Sequence, residues 1–185
     1  MKKLIMMMFM LMLTLVLSNN GAVLAEEIQC TGTLGQITVD NVRVPDGVTC
    51  TLNRTRVQGT VYVGTGSTLR TSRAIINGNV QAEGAKLVRV VQGRVGGSIQ
   101  IVQGDAALID RVRVTGDILF DSNDRQLTAK NNIIGGNLQA FQNTGGVTIS
   151  TNTIDGNLQC KENQPRPKGG GNIVHGNKED QCARL

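Results

Sequence analysis

Gly136-Asn-Leu-Gln-Ala140 is followed, 20 residues on, by Gly156-Asn-Leu-Gln-Cys160. The same alternation of small, polar and apolar residues occurs earlier as Asp40-Asn-Val-Arg-Val44, Gly59-Thr-Val-Tyr-Val63, Gly78-Asn-Val-Gln-Ala82, Gly97-Ser-Ile-Gln-Ile101 and Gly116-Asp-Ile-Leu-Phe120, and a partial copy opens at Gly176. Measured between first residues in chain order, the intervals are 19, 19, 19, 19, 20, 20 and 20. A fixed period of this length is the mark of a repeat architecture.

The columns of the repeat show which side chains point inward. Two residues after each marker stand Val42, Val61, Val80, Ile99, Ile118, Leu138 and Leu158; two before the next stand Val57, Ile76, Val95, Val114, Ile134, Ile154 and Val174. Nine and seven residues before each marker lie two further columns, Cys50 to Val147 and Leu52 to Ile149, in which only Thr71 is polar. Each repeat therefore contains three short runs of period 2, separated by Gly, Asn and Asp turns, and no stretch has helical periodicity. The expected fold is all-β: a single-stranded parallel β-helix of about seven coils of 19–20 residues, with three short strands per coil.

On phrases such as Gly97-Ser-Ile-Gln-Ile101 and the run from Gly145 to Cys160, the chain resembles small exported bacterial right-handed parallel β-helix proteins of unassigned function, over about residues 30–180. Right-handedness is what the resemblance implies. A likeness to the bactofilins, which also build short β-helical coils, is architectural only.

Polar columns support the stack. Asn123, Asn143 and Asn163, and likewise Asn132, Asn152 and Asn172, recur every 20 residues at turns, where stacked amides can hydrogen-bond along the axis. Gln81, Gln100, Gln139 and Gln159 form an outward column interrupted by Leu119, which reads as a solvated ladder. The cysteines fall into two pairs, Cys30 with Cys50 and Cys160 with Cys182, separated by 20 and 22 residues, about one coil each. Coils ~4.8 Å apart lie within disulfide reach, and closing such a loop adds roughly 3 kcal/mol on the chain-entropy model. Metal binding is the lesser reading, because no C-x-x-C is present and His175 is the only histidine.

Residues 1–25 read as an export signal: Lys2 and Lys3, an apolar run from Leu4 to Leu17 broken only by Thr14, then Val23 and Ala25 at the positions a signal peptidase selects. That run of 14 residues spans only ~21 Å of a ~30 Å hydrocarbon layer, so stable membrane insertion is not expected. Residues 26–185 are then one exported β-helix domain, periplasmic or extracellular, with its terminal coils stapled by disulfides. All six Met and one of three Phe fall in the leader, which leaves Tyr62, Phe120 and Phe141 as the aromatics of the mature chain and excludes an aromatic-rich core. Without Lys2 and Lys3, 17 basic residues face 14 acidic ones, a net of +3 in place of +5.

Catalytic signals are weak. His175 sits at a turn position, and the cysteines are assigned to disulfides, which leaves little for nucleophilic catalysis. Asp117, Asp121 and Asp124 share one coil, but neighbouring coils do not repeat them, so a calcium cluster is disfavoured. The outward row Thr51, Arg70, Arg89, Leu108, Thr128, Thr148 is too interrupted for an ice-binding threonine array. No metal, nucleotide or other cofactor is expected.

Charge supplies the functional hint. From Arg54 to Thr115 nine basic residues face three acidic ones, whereas from Gly116 onward seven of each sign cancel. Arg54, Arg73 and Arg111 lie five residues before a marker and Arg56, Arg94 and Arg113 three before, so the six belong to one corner of the solenoid as a basic strip. Stacked like charges repel, and an anionic polymer relieves that repulsion. The competing reading makes these arginines solubilising charges that oppose lateral aggregation. The expected function is a non-enzymatic exported scaffold, structural or surface-binding, with an anionic polysaccharide or cell-surface polymer as partner for the strip. The alternative is an enzyme acting on extracellular polysaccharide.

Overall fold

The computed structural model describes residues 26–185; the proposed export signal lies outside them. Strand-forming triplets such as Val80–Glu83, Leu87–Val91 and Arg94–Val95 repeat along the chain, and each pairs in parallel with its equivalent one turn away. The result is a β-solenoid with three faces. Sheet I has nine strands, from Glu27–Gln29 to Lys178–Asp180. Sheet II has eight, from Thr33–Leu34 to Lys168–Gly170, and sheet III eight, from Thr38–Val39 to Ile173–Val174. There is no helix among the described residues.

The register follows the sequence columns: Val80 pairs with Ile99 at a stride of 19 and Ile118 with Leu138 at a stride of 20. There are, however, about eight turns where the repeat count suggested about seven. The extra turn precedes Asp40. Its stride is only 14 residues, Glu27 to Asn41, and its strands on sheets II and III are two residues long, so it carries none of the columns that reveal the others.

Inside, the aliphatic columns are dry: Val42, Val61, Val80, Ile99, Ile118, Leu138 and Leu158 are all fully buried. Thr71, the polar member of its column, keeps a buried hydroxyl oxygen with no hydrogen-bond partner among the described residues. The two asparagine columns face inward as well, and their geometry is uniform. Asn123 and Asn143 each donate from Nδ2 to a carbonyl of the preceding coil, those of Ile101 and Phe120, and to Oδ1 of the next asparagine, at 2.8–3.0 Å. That Oδ1 also accepts the backbone N–H of the asparagine before it. Asn132, Asn152 and Asn172 repeat the pattern at the next corner.

A third polar file runs through the residue after each marker. Asn41, Thr60, Asn79, Ser98, Asp117, Asn137 and Asn157 each accept, through a side-chain oxygen, the backbone N–H of their equivalent one coil on. This file explains the marker glycines: a Cβ on Gly97 would collide with Asn79 Oδ1 and one on Gly156 with Asn137 Oδ1. Asparagine files and glycine markers are therefore two halves of one packing solution.

Both disulfides form with the pairing that the spacing suggests. Cys30–Cys50 has a Cα separation of 5.5 Å and Cys160–Cys182 one of 5.2 Å. Neither is a vertical step along one column. Cys30 N–H donates to Arg43 O, which places Cys30 beside Val44 on the sheet I side, while Cys50 lies in sheet II over Leu69. Cys160 stacks on Asp180, and Cys182 reaches it from the turn that follows. Each bridge thus ties a terminal segment across the interior to the adjoining coil.

Two substitution pairs test these faces. Ile99→Asp places a charge in the dry column and should destabilise by about 4 kcal/mol or more, against less than about 1 kcal/mol for outward Gln100→Asp; equal losses in thermal melts would mean the faces are misassigned. Asn143→Ala strands the N–H and the Nδ2 donor of Asn123, at about 1–3 kcal/mol for each buried group, while Asn177→Ala at the exposed end should cost under about 1 kcal/mol. Urea denaturation of both variants checks the contrast.

Candidate functional site: an arginine corner

Between sheets II and III the chain turns through a single left-handed residue in each coil. Arg54, Arg73, Gln92, Arg111, Asn131 and Thr151 occupy this column with φ between 54° and 57°. A left-handed conformation at an L-residue costs roughly 1 kcal/mol, and it swings the side chain out of the corner. The next residue turns inward: Thr55, Ala74, Gly93 and Val112 in the arginine-bearing coils, then the asparagines. Beyond it, Arg56, Arg94 and Arg113 point outward from two-residue strands whose other member, Val57, Val95 or Val114, is buried.

The six arginines therefore do gather on one corner, over four consecutive coils. Arg94 and Arg113 are direct cross-strand neighbours; Ile75 separates Arg56 from Arg94, and Gln92 separates Arg73 from Arg111. Their electrostatic states differ. Arg111 Nη2 lies 2.9 Å from Asp110 Oδ2, and Asp110, only 6% exposed, also accepts from Asn131 Nδ2 at 3.0 Å. Arg111 thus neutralises a buried carboxylate. Arg54, Arg56, Arg73, Arg94 and Arg113 are exposed and have no acidic group within 4.0 Å among the described residues. Arg70 and Arg89, adjacent on the outer face of sheet II, extend the positive surface around the corner.

Other sequence candidates are dispersed. His175 Nδ1 lies 3.0 Å from Asp155 Oδ1 on an exposed corner, and all four cysteines are in disulfides. Asp117 accepts from Asn137 as part of the third polar file, Asp121 accepts from the Ser122 hydroxyl, and Asp124 lies 3.9 Å from Arg125. Among the described residues no three His, Cys, Asp or Glu side chains converge.

The glutamine column divides in a way the sequence reading missed. Gln139 donates to Gln159, and Gln159 to Glu179, at 2.8 and 2.7 Å. Gln81 and Gln100 instead line an open groove of about 840 Å³ with Arg43 and Tyr62, their register partners in the preceding coils. Arg43 is clamped by Glu27 through two hydrogen bonds at 2.6 and 3.0 Å, which raise its pKa above the ordinary arginine value, and its guanidinium stacks 5.1 Å from the Tyr62 ring centre. The signal was present, since all four residues stand three after a marker, but it was read for the glutamines alone.

Set against family models, curated proteins and solved structures, the chain matches none.

If the left-handed arginines serve something other than the corner itself, glycine should replace them at no cost, because it adopts φ > 0 freely. Arg54→Gly with Arg73→Gly should leave the melting temperature unchanged or raised. A clear fall would assign the two side chains a structural role.

Proposed function

We propose that this protein is a non-enzymatic, exported β-solenoid scaffold whose arginine corner holds an anionic polymer such as an acidic surface polysaccharide. The observation that carries the reading is the set of five exposed arginines with no carboxylate within salt-bridge range, gathered on one corner across successive coils. Exposed like charges a few ångströms apart raise the local potential, and an anion bound there relieves it. Four coils rising ~4.8 Å each present this charge over about 15 Å of axis, which suits several charges along a polymer better than one small anion. Export is supported by two disulfides, which persist in oxidising compartments, together with the leader-like composition of residues 1–25.

Dextran sulfate is a suitable probe for the disulfide-bonded protein. It should bind at low salt, with affinity falling steeply as ionic strength rises. The Arg56→Ser, Arg94→Ser, Arg113→Ser variant should bind roughly tenfold or more weakly, each screened contact being worth up to about 1 kcal/mol. Equal binding by the folded variant, or no binding of the polymer by either protein at low salt, would return the strip to a solubilising role.

A further inference from the structure

We propose that the groove on the outer face of sheet I is a second binding site, for an uncharged oligosaccharide. Its floor is a single file of side chains, Arg43, Tyr62, Gln81 and Gln100, from four successive coils. Three steps of ~4.8 Å make it about 14 Å long. Its volume, about 840 Å³, falls within the roughly 300–1,000 Å³ typical of small-ligand sites.

The chemistry of the lining selects the ligand. Arg43 is the only cation there, and its charge is already met by Glu27. Asp46 and Glu83 also line the groove, so an anion would meet uncompensated negative charge. Gln81 and Gln100 make no side-chain hydrogen bond with any described residue, unlike Gln139 and Gln159 farther along the same row. Each of these amides offers a donor and an acceptor, and each carboxylate offers acceptors only. Sugar hydroxyls, which both donate and accept, satisfy that mixture, whereas an apolar ligand would leave it unmet. Tyr62 supplies an aromatic surface for the C–H face of a pyranose ring, and Arg43 stacked beside it fixes its orientation. The two surfaces thus sort ligands by charge: polyanions at the corner between sheets II and III, neutral sugars on sheet I.

Tyr62 is the only tyrosine of the chain, which has no tryptophan, so tyrosine emission reports on this groove alone. Cellotetraose, maltotetraose, mannotetraose and chitotetraose in the N-acetylated form are the neutral probes, and a hyaluronan tetrasaccharide is the anionic control. At least one neutral probe should change the emission saturably, with an affinity that is insensitive to salt and unaltered in the Arg56→Ser, Arg94→Ser, Arg113→Ser variant. Gln81→Ala with Gln100→Ala should weaken it about tenfold, while Gln139→Ala with Gln159→Ala should leave it within about twofold. The proposal is overturned if no neutral probe alters the wild-type emission, if the hyaluronan fragment is preferred, or if the folded Gln81, Gln100 variant binds as well as wild type. The wild-type titration decides alone should that variant fail to fold. Because dextran sulfate binding at the arginine corner is read separately, failure of either site leaves the other's result intact.

Discussion

In-register parallel stacking at ~4.8 Å sets every side chain of this protein against its own equivalent one coil away. Whatever chemistry fills a column therefore meets itself. For aliphatic residues this is favourable without further arrangement, and the fully buried files from Val42 to Leu158 follow from it. For asparagine it is favourable because one amide both donates and accepts, so a file of them closes its own hydrogen bonds. For arginine it is unfavourable, since a guanidinium only donates and every neighbour carries the same charge.

The arginine corner softens that conflict by interruption. Ile75 and Gln92 break the two columns, and Asp110 is drawn beneath Arg111. What is left is a surface whose remaining charges find no counterion within the protein's own coils. The sheet I row shows the same constraint resolved two ways. At one end glutamines tie to each other and to Glu179; at the other Arg43, Tyr62, Gln81 and Gln100 differ enough in size and polarity to leave a concavity. Function, on this reading, resides where a column departs from uniformity.

That distinction also decides what the sequence could reveal. Columns that repeat are legible by eye, so the three sheets, their register, the inward files and both disulfide pairings follow from spacing. The first turn was missed because its 14-residue stride and two-residue strands repeat nothing. Simple alternation puts Asp110 outward; its burial under Arg111 and Asn131 depends on the left-handed turn that follows, which no single residue type announces, since Arg, Gln, Asn and Thr all adopt it. The groove needed a relation across coils, the Glu27 clamp on Arg43 and the Arg43 stack on Tyr62, that no one repeat contains.

The inward asparagine files have a direction. Each new asparagine, counted from the N-terminal side, brings the oxygen that its predecessor's N–H and Nδ2 require, so the preceding coil stays incomplete until the next arrives. A chain that emerges from the ribosome or an export channel N-terminus first can therefore fold vectorially, each coil templating the one behind it. The sequence ends this growth explicitly: Gln181, not another asparagine, offers its Oε1 to the backbone and side chain of Asn163 and turns its own amide back onto the Asn163 carbonyl. The last rung is a terminator, and no amide donor of this file is left pointing outward to recruit a foreign strand.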